Sequence, residues 1–327
     1  LFWAAGATRA SLAKKLRSAR TGGKGKCRIA LIAADETALA DLVDTSAKAL
    51  ERDKAPSGEH IFYGEGAPEG ELAFVFTGSA AVYARMSRGL FMAFPELGKA
   101  LASMSRATEM AELLTHADLS EYEQLCAGTL VSQAHAILMR DVLEVTPTAA
   151  IGLSLGESNA LFAFGFWKDP GKLLDEIDDA AMYERHLGGE FETAHAAWGP
   201  NVPTDWANWH IKAPLPKLCA AMASHPNVEI TIIYSQEDCL IGGPAAACRA
   251  VAEALGPGSG AAMNQHLIVH AKAMKPFEDQ WRKLHTRPVS KVPGIRLYAN
   301  AINASYTPTK ARVADMLTRQ AVDTVDF

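Results

Sequence analysis

A serine lies at the centre of Gly152-Leu153-Ser154-Leu155-Gly156, and Glu157 follows it. A serine hydroxyl becomes a nucleophile when a base takes its proton and backbone N–H groups receive the charge that develops on the attacked carbonyl oxygen. The Gly-x-Ser-x-Gly spacing suits that task, because glycines flanking a tight turn let two backbones come close to the serine. Residues 145–151 are apolar and β-prone, and residues 157–166 have helical character. Ser154 is therefore expected at the apex of a strand–turn–helix. The first N–H groups of a helix have no partner within it, which makes the Leu155 N–H a natural oxyanion donor. An ordinary tight turn is the plain alternative; the flanking strand and helix favour the nucleophile.

The base must be one of ten histidines. His270 closes the apolar run Leu267-Ile268-Val269 and is the best candidate. His266, four residues earlier, would have metal-ligand spacing on a helix, but the run reads as strand and no acidic ligand lies nearby, so no metal site is expected. Two residues could orient the imidazole. Asp238 follows the expected strand 229–235 and gives the order Ser154, Asp238, His270 of the α/β-hydrolases. Asn300, after the expected strand 295–299, could offer its backbone carbonyl. Spacing alone does not choose between them.

These residues need a scaffold, and 327 residues suffice for a large core with smaller additions. Residues 1–69 read as a small α/β module, with helices over 9–18 and 36–51 and strands over 28–33 and 60–63. Residues 64–70 read as a turn-rich hinge. An apolar strand over 72–76 follows, then helices over 83–94, 96–105 and 121–142, the elbow, and helices over 170–186 and 191–198. From residue 206 the order becomes β-α-β-β-α-β, ending in a strand over 262–267. That is the order of a ferredoxin-like subdomain inserted into the larger unit. The expected fold is thus an α/β-hydrolase-like large subdomain (70–205 and 268–327) with a ferredoxin-like insert (206–267), preceded by the small α/β module (1–69).

Composition excludes some functions. Net charge is −5, and the one basic stretch, 9–26, reads as a solvated helix face and loop, so nucleic acid is not an expected partner. The glycines of 21–26 lack the phosphate-loop pattern. Five scattered cysteines suggest reduced thiols in the cytoplasm. No run of 18 apolar residues spans a membrane. The two ends suggest a piece excised from a longer polypeptide.

Four segments carry a resemblance: Phe74-Val75-Phe76-Thr77-Gly78-Ser79, Gly152-Leu153-Ser154-Leu155-Gly156-Glu157, His270 with Met274 after it, and Leu297-Tyr298-Ala299-Asn300. Together they resemble the malonyl-CoA:acyl-carrier-protein transacylase family, the acyltransferase domains of fatty acid and polyketide synthases. The likeness covers residues 71–327 in the family's order, insert included. Residues 1–69 resemble the linker between ketosynthase and acyltransferase domains. The wording around the elbow, with Leu153 before the serine, is most similar to acyltransferase domains of polyunsaturated fatty acid synthases.

The resemblance implies a Ser154–His270 dyad oriented by the Asn300 carbonyl, an oxyanion hole from the Leu155 and Ser79 N–H groups, and Gln133 near the site. It implies no cofactor. The substrates would be an acyl-CoA and the phosphopantetheine arm of an acyl carrier protein, and neighbouring synthase domains such as a ketosynthase would be partners. Three positions depart from the family's pattern: Ser79 replaces a glutamine, Leu153 a histidine, and Val269 a frequent phenylalanine, which would leave more room for the acyl chain. Family members that take malonyl groups grip the free carboxylate with an arginine one helix after the elbow, where a planar fork pairs bidentately. Arg185 is the nearby candidate and lies later than the family spacing. Malonyl is one expectation, and a longer or uncharged acyl group is the other. The rivals are a thioesterase-like hydrolase using Ser154, Asp238 and His270, and a decayed acyltransferase domain kept for docking.

Overall fold

The computed structural model describes residues 1–66, 70–83, 85–199 and 201–327. Parts of three expected features, the 64–70 hinge, the start of the 83–94 helix and the turn after residue 199, therefore lie outside the described residues. The chain forms two compact units, Leu1–Gly70 and Glu71–Phe327.

In the first unit, β1 (Phe2–Gly6), α1 (Arg9–Arg17), β2 (Cys27–Leu31), α2 (Glu36–Glu51) and β3 (Ile61–Glu65) build an antiparallel sheet of order β1-β2-β3 with two helices. Both helices start on side-chain caps: Thr8 closes a capping box with Ser11, and Asp35 accepts from the Ala38 N–H at 2.8 Å. Leu12, Leu16, Leu31 and Leu50 fill the core. The sequence reading lacks β1, whose short Phe-Trp-Ala-Ala-Gly run carries a weak strand signal and is held by pairing with β2. The glycine stretch after α1 serves that strand too, since the Gly22 N–H donates to the Trp3 carbonyl at 2.8 Å. The basic stretch is solvated and ion-paired, with Arg17 reaching Asp44 and Glu51 on α2.

The second unit continues with β4 (Ala73–Phe76), α3 (Arg88–Ala93), α4 (Pro95–Leu101), α5 (Ala107–Leu113), α6 (Glu121–Ile137), β5 (Ala149–Gly152), α7 (Leu155–Ala163), α8 (Pro170–Asp179) and α9 (Glu192–Trp198). Then come β6 (Trp206–Lys212), α10 (Leu215–Met222), β7 (Glu229–Ser235), β8 (Asp238–Pro244), α11 (Ala245–Leu255) and β9 (Gly260–Ala262). The chain closes with α12 (Glu278–Leu284), β10 (Arg296–Ala299), β11 (Ala304–Tyr306), α13 (Lys310–Val322) and β12 (Val325–Asp326).

Two sheets result. One has the order β11-β10-β5-β4, with β4, β5 and β10 mutually parallel and β11 returning antiparallel. Parallel strands need covered faces, and α6, α7 and α13 supply Leu125, Leu130, Leu161 and Leu317 to the buried core around this sheet. The other sheet has the order β12-β7-β8-β6-β9. Its β6–β9 portion has the ferredoxin-like sequence of elements.

Three expectations need correction. The strand expected over 262–267 is instead β9 at Gly260–Ala262, because the following residues leave the sheet edge: the Gln265 side chain reaches Ser79 and the Ile268 N–H donates to the Leu187 carbonyl at 2.8 Å. The helix expected over 170–186 ends at Asp179, where Ala181 turns into the left-handed region at φ 49°. Finally, β12 pairs in parallel with β7, so residues 325–326 belong to the insert's sheet rather than to the large subdomain.

Candidate active site

Strand β5 ends at Gly152 and α7 begins at Leu155, leaving Ser154 on the turn between them. Its backbone sits at φ 56°, ψ −121°, a region that L-residues avoid and that persists only where surrounding structure enforces it. The flanking glycines show what enforces it. A Cβ on Gly152 would lie 2.0 Å from the Gly156 carbonyl carbon, and one on Gly156 would lie 2.2 Å from the Phe76 carbonyl oxygen. Only glycine lets β4, the turn and α7 pack this closely.

His270 reaches the same point from the other side of the unit. Its Nε2 is 2.8 Å from Ser154 Oγ, and its Nδ1 is 2.6 Å from the carbonyl oxygen of Gln320. The Nδ1–H donates to that carbonyl, which leaves Nε2 as the acceptor facing the hydroxyl. Gln320 lies two residues before the end of α13, where carbonyls lack intrahelical partners. The next carbonyl, of Ala321, accepts from the Ala271 N–H at 3.3 Å. Glu229 on β7 holds the following turn through the Lys272 and Ala273 N–H groups, and Asn208 on β6 holds the preceding one through the Gln265 and Leu267 carbonyls. His270 itself is at φ 58° and is fixed on both flanks. Burial pushes its imidazole down to about 4, with the hydrogen bond to Gln320 partly opposing. It is therefore neutral, and a neutral imidazole can take a proton.

The two backbone donors expected for an oxyanion lie in one cavity with Ser154 and His270. Neither the Leu155 nor the Ser79 N–H donates to a carbonyl among the described residues. Gly78, next to Ser79, packs against the nucleophile: a Cβ there would be 3.7 Å from Ser154 Cβ. The Ser79 hydroxyl accepts from Gln265 Nε2 at 2.8 Å, which ties the β4 turn to the segment leading to His270. The cavity has a volume of about 370 Å³.

No protein-family model matches the chain. Among curated proteins it is 30% identical over 193 residues to a polyunsaturated fatty acid synthase of Thraustochytrium sp., and 33% identical over 149 residues to the highly reducing polyketide synthase PKS6 of Gibberella zeae. These matches cover 56% and 41% of the chain but only 9% and 5% of those long proteins. Among solved structures it superposes on the acyltransferase domain from the second module of the salinomycin polyketide synthase with a TM-score of 0.70, at 19% identity, over 98% of this chain and 70% of that one. It also matches a type II polyketide synthase malonyl-transacylase, solved with its acyl carrier protein, with a TM-score of 0.64 at 17% identity, over 79% of this chain and 82% of that one. The fold is the acyltransferase fold. The resemblance read from the sequence is borne out, both for malonyl-transacylases and for the synthases of polyketides and polyunsaturated fatty acids.

Within this acyltransferase fold, several expected residues lie elsewhere. Asn300 does not orient His270. Its N–H donates to Glu157 Oε1 at 2.6 Å, behind the elbow, and Gln320 fills the orienting place. Asp238 is engaged by His210, whose Nε2 is 2.5 Å from its Oδ1, so the Ser-Asp-His arrangement does not assemble. Arg185 is about half exposed and paired with Glu190 and Glu192, and it does not line the cavity. It lies on the exposed side of the helical turn Met182–His186 that follows α8, whereas Tyr183 of the same turn lines the cavity. Gln133 is buried on α6 and donates to the Asn159 carbonyl of α7 at 3.1 Å, bracing the elbow helix from behind the cavity wall. Val269 lines the cavity, as does Leu153, which packs against Ile232, Leu240 and Val325 of the second sheet.

Sequence reasoning missed Gln320, because a backbone carbonyl leaves no signature. One signal was available: Gln320 is a polar residue on the buried stripe Val313, Leu317, Ala321 of α13. Glu157 is also notable. It is 4% exposed, and burial pushes its carboxyl up to about 8 against the opposing hydrogen bond from Asn300.

Proposed function

We propose that the chain is an acyltransferase that moves an acyl group from a coenzyme A thioester to the phosphopantetheine thiol of an acyl carrier protein, through an ester on Ser154. The observation that carries this reading is the 2.8 Å contact of Ser154 Oγ with His270 Nε2, with Nδ1 anchored on the Gln320 carbonyl. His270 accepts the hydroxyl proton as Ser154 Oγ attacks the thioester carbon. The Leu155 and Ser79 N–H groups receive the oxyanion, and α7 adds the positive end of its dipole. As the tetrahedral intermediate collapses, the carbon–sulfur bond breaks and the imidazolium returns the proton to the coenzyme A thiolate. In the second half, His270 takes the proton of the carrier thiol, the sulfur attacks the ester, and Ser154 regains its proton.

The imidazolium that forms in each half is favoured by the carboxyl end of α13, whose free Gln320 carbonyl faces Nδ1. A carboxylate is not required. Loss of Asp238 to His210 removes the group that a hydrolase triad would use, and the apolar cavity disfavours water as the acceptor. The parent context would be a cytoplasmic multidomain synthase with a ketosynthase among its domains. The curated relatives are fatty acid and polyketide synthases, and no described helix is long and apolar enough to cross a membrane. The test is intact-protein mass after incubation with acyl-CoA. An acyl adduct that Ser154→Ala abolishes, and that a carrier-protein thiol discharges, supports transfer. Discharge to water at the same rate without carrier would instead make the chain a hydrolase.

A further inference from the structure

The cavity at Ser154 is lined by Phe162, Leu173, Leu174, Ile177, Trp281 and Leu317 on the side of α7, α8, α12 and α13, and these residues belong to or pack on the buried core. Among the described residues, no lysine, arginine, aspartate or glutamate lines it. The two histidines that line it are buried and neutral, His270 and His285 both being pushed down to about 4 by desolvation.

Several polar groups of the wall are committed already. Asn208 bonds Trp206, Gln265 and Leu267; Ser79 Oγ bonds Gln265; and His285 Nδ1 bonds the Trp281 carbonyl. Three buried side-chain atoms of lining residues remain without a partner: Asn159 Oδ1 and Gln320 Oε1, amide oxygens that only accept hydrogen bonds, and Thr129 Oγ1, a neutral hydroxyl; none of them carries a positive charge. A carboxylate brought into such a wall would lose its hydration and gain no cation.

We propose that this pocket takes an uncharged hydrocarbon acyl group and discriminates against carboxyacyl groups such as malonyl. The assignment rests on the acyl-enzyme reading of Ser154 and deepens it. Selectivity comes from the absent cation as much as from the apolar wall. Each added methylene of the acyl chain gains about fourfold until the cavity is filled, whereas an unpaired buried carboxylate loses about 100-fold or more.

The experiment compares octanoyl-CoA with malonyl-CoA on the same chain, in two measurements. The first is the rate of acyl adduct formation on the wild type, followed by intact mass. The second is equilibrium binding of each thioester to Ser154→Ala, which needs no chemistry. Octanoylation about 100-fold faster than malonylation, with tighter binding of octanoyl-CoA to Ser154→Ala, is the expected result. If neither thioester labels the wild type while Ser154→Ala still prefers octanoyl-CoA, the pocket assignment stands and the acyl-enzyme reading falls. Faster malonylation, or binding of octanoyl-CoA to Ser154→Ala no tighter than that of malonyl-CoA, overturns the pocket assignment.

Discussion

His270 and Gln320 are joined by a 2.6 Å hydrogen bond from an imidazole Nδ1 to a backbone carbonyl near the end of α13. In the proposed mechanism this helix terminus takes the place that a carboxylate has in a serine triad. It also separates the two ends of Gln320. The carbonyl serves His270, while the side-chain Nε2 donates to the Ser154 carbonyl at 3.4 Å.

Gln320→Ala keeps the carbonyl and removes only the long side-chain contact. Acylation should fall by no more than about tenfold, the size of one modest hydrogen bond. Asn300→Ala should leave the pH dependence of acylation unchanged, since Asn300 does not touch His270. Single-turnover rates across pH check both. Asn300→Ala leaves the Asn300 backbone in place, so a shifted acid limb there would show instead that the Asn300 side chain acts on His270.

Asp238→Asn should change the acylation rate by less than about threefold, because Asp238 pairs with His210, outside the dyad. Removing the acid of a true triad costs about 10⁴-fold. Arg185→Ala should be equally silent towards every acyl-CoA, since its partners are the surface carboxylates Glu190 and Glu192.

The acid limb of the acylation rate should fall near pH 4 rather than near the 6.5 of an ordinary histidine. Stability should follow the same groups. His270 and His285 are both lowered to about 4, so between pH 6.5 and 4 the unfolded chain binds more protons than the native one. Unfolding free energy should therefore drop as pH falls through that window, by up to about 3 kcal/mol per histidine. Urea melts at pH 7 and pH 4.5 measure the drop, and His285→Asn should reduce it.

Glu157 works in the opposite direction. With its carboxyl raised to about 8, the native chain holds a proton that the unfolded chain has lost above about 4.5, so this group costs stability as pH rises from 4.5 to 8. Glu157→Gln keeps an acceptor for the Asn300 N–H and should be neutral or stabilising at pH 8. Glu157→Ala leaves that N–H unpaired and should cost about 1–3 kcal/mol. Thermal melts of both variants distinguish them.

Much of this was legible in the sequence, and the pattern of success is physical. The elbow was readable because its geometry depends on residue types: only glycine tolerates the 2.0 Å and 2.2 Å approaches at positions 152 and 156. The element order of the inserted subdomain followed from periodicity. What escaped were relationships carried by backbone atoms or by partners far along the chain. Gln320 acts through a carbonyl that every residue possesses. Strand β12 is only two residues long and exists because β7 is there to pair with it. Asp238 and Arg185 had suitable chemistry, but His210 and the Glu190–Glu192 pair had claimed them, which spacing alone does not reveal.

The most direct test of the account is single-turnover acylation of the wild type, Ser154→Ala and His270→Ala, read by intact mass with an octanoyl-CoA donor. The account predicts one acyl adduct on the wild type, none on Ser154→Ala, and a rate at least about 10³-fold lower on His270→Ala. An adduct that survives Ser154→Ala, or one that forms at the wild-type rate without His270, would contradict it.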